Sequence, residues 1–255
     1  MGGQDFQAAT IRGVSLRVNG HYSFWTEMAA ERWETATLDV FDKYLPASDL
    51  FIDFGAWIGP TSLYASRYCK RIIAFEPDPA ARAELERNIA LNGISSIELR
   101  PEAVSPKAGE AEMWDGGNGM GGSVSSMTHG IGERFTVETL TPAQVSAMIG
   151  RDETYFIKMD IEGGEYAAID AISDLFCERL TGILIAFHPR FIGGGGSPGR
   201  WPTTLPKTLA AFRQFRDFRM YKVTERGCWR ARLEERLTKA NLPLFEAKGT
   251  YLFVP

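Results

Sequence analysis

Apolar positions along the chain alternate between two rhythms. Strand-sized runs recur at Leu50-Phe51-Ile52-Asp53-Phe54, Arg71-Ile72-Ile73-Ala74-Phe75, Ile97-Glu98-Leu99-Arg100, Tyr155 to Met159 and Gly182 to Phe187. Between them, helical patterns cover about Pro60 to Cys69, Pro79 to Leu91 (ended by Asn92-Gly93), Glu162 to Ile172 and Thr204 to Phe215. Strand, helix and strand joined by short connections require parallel strands with right-handed crossovers. The pattern therefore predicts an α/β chain with helices on both faces of one sheet.

The flanks are less regular. Val14, Leu16 and Val18 alternate with polar residues as a short strand, and a helical pattern follows from about Met28 to Tyr44. Glu110 to Trp114 and Arg134 to Glu138 are strand candidates. Thr141 and Pro142 fit the N-cap and first position of a helix running to about Ile149. Phe218 to Val223 and Tyr251 to Val254 read as a closing strand pair, with a helix over about Trp229 to Lys239 between them. Two segments are dense in glycine: Gly116 to Gly132, which holds seven, and Gly193 to Gly199. Such loops are mobile when free, and the first is expected to close over a ligand, with Ser123, Ser125 and Ser126 offering hydroxyls.

Composition narrows the class without changing the fold. A chain of 255 residues fits one large α/β domain, divided into an extension (1–45), a core (46–190) and a C-terminal part that completes the sheet (191–255). With 28 Lys and Arg against 32 Asp and Glu, and no dense basic run, a nucleic-acid partner is not expected. No apolar run is long enough to span a bilayer, and Met1-Gly2-Gly3-Gln4-Asp5 lacks the form of a signal peptide. Cys69, Cys177 and Cys228 are odd in number and far apart, as in a reduced cytoplasmic protein. The expected partner is a small molecule; nothing in the sequence sets an oligomeric state.

The chemistry concentrates at the ends of the strands. Phe51-Ile52-Asp53-Phe54-Gly55-Ala56-Trp57-Ile58-Gly59-Pro60 ends a buried strand in an acid, turns on glycine and starts a helix. Glycines there let backbone approach a ligand. Trp57 stands where a dinucleotide fingerprint has its middle glycine and would crowd a pyrophosphate. A smaller nucleoside carrying an ammonium suits the turn, with Asp53 meeting the ammonium. Glu76, in Phe75-Glu76-Pro77-Asp78, ends the next strand, where a carboxylate can accept from two ribose hydroxyls. Pro101-Glu102-Ala103-Val104 follows the third strand and is placed to edge an adenine. Lys158-Met159-Asp160-Ile161-Glu162-Gly163-Gly164-Glu165 clusters three acids after the fourth.

Asp-x-Gly-Ala-x-x-Gly, Phe-Glu-Pro and Lys-x-Asp-x-Glu-Gly-x-Glu in this order resemble the FkbM family of S-adenosyl-L-methionine-dependent methyltransferases, from about Trp33 to Pro189. The resemblance implies a Rossmann-like class I methyltransferase, with a seven-stranded, mostly parallel sheet and an antiparallel last strand. It implies S-adenosyl-L-methionine as cofactor and, as the leading reaction, O-methylation of a sugar, natural product or other small molecule. By the resemblance, Asp53, Gly55, Ala56 and Gly59 form the first cofactor loop, Glu76 with Pro77 the ribose site, Glu102 and Ala103 the adenine edge, and Glu34 an acid near the cofactor. Asp160, Glu162 and His188 are the candidates for base or acceptor orientation, with Asp160 also beside the cofactor and His188 also facing the acceptor. Asp160, Glu162 and Glu165 could instead hold Mg²⁺, but no ligand spacing compels a metal. Two departures stand out: Trp57 replaces the usual Asn, and Ala186-Phe187-His188-Pro189 lacks the acid of the usual Glu-x-His-Pro. The other readings are a nicotinamide-dependent oxidoreductase, which would need the full glycine fingerprint, and a non-catalytic nucleoside-binding module, which would not need the acidic cluster.

Overall fold

The computed structural model describes residues 6–119, 121–128, 130–189, 201–224, 227–231 and 249–255, the segments 201–205 and 227–231 through their backbone alone. In chain order the elements are β1 (Phe6–Ile11), β2 (Val14–Asn19), α1 (Phe24–Ala29), α2 (Thr35–Tyr44), β3 (Leu50–Phe54), α3 (Pro60–Ala65), β4 (Arg71–Phe75), α4 (Pro79–Asn92) and β5 (Ile97–Arg100). They continue with β6 (Ala103–Val104), β7 (Gly109–Trp114), β8 (Arg134–Leu140), α5 (Pro142–Ser146), β9 (Tyr155–Met159), α6 (Glu165–Ala168), β10 (Leu180–Phe187), α7 (Trp201–Arg213), β11 (Arg219–Thr224), β12 (Gly227–Ala231) and β13 (Gly249–Val254).

The main sheet runs β12-β11-β13-β10-β9-β3-β4-β5. Strands β3, β4, β5, β9 and β10 are mutually parallel, and β13 enters antiparallel between β10 and β11. Those seven strands make the Rossmann-like class I methyltransferase sheet that the motifs imply, and β12 adds an eighth at the edge. The chain order reverses between β3 and β9, so the carboxyl ends of these neighbours bound a crevice where open α/β sheets take ligands.

Pleating explains the apolar runs. Leu50, Ile52 and Phe54 of β3 pack on one face with Ile157, Ile169 and Phe212, while Phe51 packs on the other with Phe41, Ile72 and Phe156. A strand covered on both faces gains from an apolar residue at every position, so its sequence loses the alternation of a half-exposed strand. Among the described residues, no helix is long and apolar enough to cross a membrane.

Several expected elements differ. The helix predicted from Met28 to Tyr44 is two helices, because Glu31 and Glu34 adopt left-handed backbone at φ 54° and 42°. The helix expected from Glu162 starts at Glu165 and continues as a 3-10 helix over Ile169–Leu175. Its first turn is displaced by Glu162 and Gly163 at φ 49° and 99°, a bend closed when the Glu165 carboxylate accepts from the N–H groups of Ile161 (3.0 Å) and Gly163 (2.9 Å). The helix expected at Trp229 to Lys239 is strand up to Ala231, through pairing with β11; the remainder lies outside the described residues. The sequence pattern does not predict β1. It forms a hairpin with β2 that docks on α4, where Asn19 Nδ2 donates to Glu84 Oε2 at 2.8 Å and Asn92 Oδ1 accepts from the Arg17 N–H at 2.8 Å.

Candidate active site

A cavity of about 330 Å³ opens at the carboxyl ends of β3, β4 and β9. Glu34, Gly55, Ala56, Glu76, Pro77, Glu102, Ala103, Ser123, Ser125, Asp160, Glu162 and His188 all line it, so most residues singled out by sequence meet at one place. Asp53, Gly59 and Ser126 do not. Phe24, Trp33, Trp57, Met113, Met127 and Lys158 also contribute, without having been assigned a role.

The floor is the turn after β3. Gly55 has φ +80°, and a Cβ there would lie 2.0 Å from the carbonyl oxygen of Asp160. Only glycine allows the two strand ends to come so close. Gly59, at φ +98°, gives α3 its start and leaves room for Leu85. Asp53 does not reach the cavity, which corrects its expected contact with an ammonium. Its carboxylate is fully buried beneath the turn, accepting from Thr61 Oγ1 (2.7 Å) and Ser62 Oγ (2.6 Å), with Lys158 Nζ at 3.2 Å. Lys158 Nζ also donates to the Gly55 carbonyl at 2.7 Å. Burial works against the lysine charge, but Asp53, Asp160 and Glu34 outweigh it and hold the ammonium above its ordinary value. Asp53 and Lys158 thus brace the glycine turn from below.

Glu76 rises at the end of β4. Its Oε2 accepts from the N–H of Trp57 at 2.7 Å and its Oε1 from the N–H of Asp78 at 2.9 Å. Each carboxylate oxygen can accept a second bond, which suits a diol. Burial, against these two backbone bonds, pushes the carboxyl up to about 7. Further along, Glu102 accepts Arg100 through both oxygens, at 2.6 and 3.1 Å, so its charge is already matched. Ala103, Val104, Met113 and Met127 form an apolar end beside it.

The opposite wall is acidic. His188, at the end of β10, sits among three carboxylates: Glu165 Oε1 lies 2.9 Å from Nδ1, and Asp160 and Glu162 lie 3.8 Å from Nε2. Burial alone would favour neutral imidazole, but the bond and charge of Glu165, followed by Asp160 and Glu162, raise the histidine to about 9. The acidic surroundings thus favour the imidazolium, which adds a charge-balancing role to the base role expected of His188. Asp160, Glu165 and His188 also bring possible metal-ligand atoms within 4.8 Å of one another. Glu165, however, is fully buried and already accepts two backbone N–H groups and the histidine. Glu34 completes the wall at the start of α2, and burial, then the Asp160 charge, pushes it up to about 7.

The roof is the glycine loop, which is tied down rather than open. Gly121 N–H and Ser125 Oγ both donate to Asp78 Oδ2 at 2.8 Å, and Trp57 Nε1 donates to the Gly121 carbonyl at 3.0 Å. Ser126 is buried and donates to the Glu162 carbonyl at 2.5 Å, which removes it from the acceptor contacts expected of it. Ser123 and Ser125 still face the cavity. The other glycine segment, Gly193 to Gly199, lies outside the described residues.

No curated protein matches the chain. Solved structures similar to it include the methyltransferase FkbM from Methylobacillus flagellatus KT, with 17% identity and a TM-score of 0.45, covering 82% of this chain and 44% of that one. An rRNA methylase from Streptococcus thermophilus shows 10% identity and a TM-score of 0.43, covering 85% of this chain and 91% of that one. A Streptococcus mutans protein in complex with SAH shows 10% identity and a TM-score of 0.45, covering 86% and 97%. The chain thus spans less than half the length of the first of these. The family model for the methyltransferase FkbM domain matches residues 53–220, well over half of the chain, and takes in the glycine turn, Glu76, Asp160 and His188; this chain belongs to that family.

Proposed function

We propose that the chain binds S-adenosyl-L-methionine and directs its methyl group to a hydroxyl of a small-molecule acceptor. The observation that carries this reading is the shared cavity: a turn that requires glycine at position 55 and the buried Glu76 carboxylate on one side, and Asp160 at the end of β9 on the other. The fit is chemical as well as spatial. Gly55 and Ala56 present backbone, Glu76 suits two ribose hydroxyls, and the apolar end around Ala103, Val104 and Met113 suits a flat ring. Glu34 and Asp160 supply negative charge for an ammonium.

When bound, the cofactor supplies a methyl group already activated by its sulfonium. The chain itself has to align the acceptor and manage its proton. Asp160 is the acid at the switch point, its backbone fixed by donation from its N–H to the Phe54 carbonyl at 3.0 Å. We assign it the role of accepting the hydroxyl proton or orienting the hydroxyl. The His188 ring, 3.8 Å from Asp160 and Glu162, limits repulsion within the acidic wall. Glu165 acts through His188, holding the ring in place. With Ala186 in place of the acid of Glu-x-His-Pro, the carboxylates around His188 come from Asp160, Glu162 and Glu165.

Two measurements test the reading. S-adenosylhomocysteine should raise the melting temperature and NAD should not. Screening hydroxyl, amine and carboxyl acceptors with methyl-labelled cofactor should give transfer to hydroxyls; transfer confined to amines would overturn the O-methylation assignment. Running the active pair with EDTA and then Mg²⁺ separates the base reading of Asp160 from a metal-ligand one.

A further inference from the structure

Four hydrogen bonds close a ring through the cavity wall. The Trp57 N–H donates to Glu76 Oε2 (2.7 Å), and the Trp57 indole Nε1 donates to the Gly121 carbonyl (3.0 Å). The Gly121 N–H donates to Asp78 Oδ2 (2.8 Å), and the Asp78 N–H donates back to Glu76 Oε1 (2.9 Å). The ring joins the turn after β3, the turn after β4 and the roof loop between β7 and β8.

Two features set this ring apart from ordinary packing. Trp57 has φ +50°, a left-handed backbone that a bulky residue rarely adopts, and the conformation aims its N–H at one ring member and its indole at another. Asp78 is fully buried and accepts four donors: Ala80 and Ala81 N–H on Oδ1, and Gly121 N–H and Ser125 Oγ on Oδ2. One oxygen caps α4; the other holds the roof. Both oxygens of Glu76 are thereby oriented by residues that also fix Gly121, the residue from which Gly122, Ser123, Ser125 and Met127 project along the cavity.

We propose that Trp57 and Asp78 are positioning residues, which through this closed ring aim the Glu76 carboxylate into the cavity and hold the roof loop above it, so that ribose binding and roof placement are one coupled event. The inference rests on the cofactor reading above. It also gives the departure at position 57 a use: the indole supplies a roof anchor that the backbone N–H alone does not.

Trp57→Phe keeps an aromatic ring and the same backbone strain but removes the indole donor. Asp78→Asn keeps the cap oxygen for α4 but replaces the acceptor that holds Gly121. Each should weaken S-adenosylhomocysteine binding in calorimetric titration by about 3- to 10-fold, the equivalent of one hydrogen bond. Once a ring is open, cutting it a second time adds little, so the double variant should bind about as weakly as the worse single one. Losses that multiply would show two independent packing roles and overturn the proposal. So would a lowered melting temperature with unchanged affinity. If only one variant folds, hydrogen exchange at Gly121–Met127 decides: added ligand should protect these amides in the unsubstituted protein and fail to do so in the variant, and equal protection in both overturns the proposal. No binding by the unsubstituted protein would remove the cofactor reading and this inference with it, whereas unchanged binding in both variants would remove the inference alone.

Discussion

Nδ1 of His188 lies 2.9 Å from Oε1 of Glu165, a carboxylate with no solvent exposure that also accepts from the backbone of Ile161 and Gly163. The pair links the end of β10 to the turn after β9 and fixes the charge of the acidic wall. Because the histidine is raised to about 9 from an unfolded value near 6.5, its contribution to stability is complete below about pH 6.5 and disappears as pH rises through about 9. His188→Gln should therefore be less stable than the unsubstituted protein by on the order of 3 kcal/mol at pH 6–6.5, and the gap should close by about pH 10. Denaturant unfolding at a series of pH values checks this. A gap that stays constant with pH would mean that packing, not charge, is what the histidine supplies.

Glu76→Ala should weaken S-adenosylhomocysteine binding by about 10- to 150-fold, since a charge-assisted acceptor contributes about 1.5–3 kcal/mol. In the unsubstituted protein, affinity should rise between pH 6 and pH 8 as a carboxyl held at about 7 ionises. Glu34, held at about 7 as well, acts in the same direction, so Glu76→Gln should flatten the profile only in part. Calorimetric titration at three pH values measures both effects.

Asp160→Asn should lower turnover by about 10²- to 10⁴-fold, the range for loss of a positioned base, far more than it lowers cofactor affinity. Asp160 carries side-chain exposure of 24% toward the cavity, so the melting temperature should move only slightly. Single-turnover methyl transfer, with the acceptor identified by screening, reads the effect. Near-normal turnover with a markedly lowered melting temperature would make Asp160 a brace.

Gly55→Ala and Gly59→Ala compare two kinds of obstruction at similar backbone angles. The added methyl group meets the Asp160 backbone carbonyl in the first and the tip of the Leu85 side chain in the second. A side chain can swing away; a paired strand end cannot. Gly55→Ala should cost on the order of 3 kcal/mol or more, about 6–12 °C of melting temperature, and Gly59→Ala clearly less. Equal losses would mean that backbone strain alone sets the cost.

The central strands were legible because their physics is local. Residues Leu50–Phe54, Arg71–Phe75 and Tyr155–Met159 have the bounds expected of them, since burial on both faces leaves a nearly unbroken apolar run; Ile97–Arg100 has its expected bounds too, as a half-buried edge strand whose apolar and charged residues alternate. Strand β1 was not legible: of its six residues only Ala9 and Ile11 are buried, too weak an alternation to stand out. Strand β12 owes its form to pairing with β11, which its own aromatic and charged residues do not announce. The site divides in the same way. Glu76 and Asp160 lie where strand ends put them. That Asp53 turns under the loop depends on Thr61, Ser62 and a lysine 105 residues away in sequence, and that the glycine loop is pinned depends on Asp78, 43 residues from Gly121. An N-cap aspartate signals one of its two oxygens in sequence; the other is committed only by tertiary structure.

The pairing of β3 with β9 also fixes the order in which this protein can become competent. Strands β3, β4 and β5 are neighbours in sequence and can associate early, but β9 joins β3 across more than a hundred residues, as the Lys158–Gly55 bond at a separation of 103 shows. Long-range parallel pairing is slow because loop-closure entropy is lost before contacts return it. Gly55 is packed against the Asp160 carbonyl, so the glycine turn acquires this shape only when that late pairing is made. A chain emerging from the ribosome would carry Gly55 and Glu76 long before it could use them, and ligand recognition would mark the end of folding rather than guide its start.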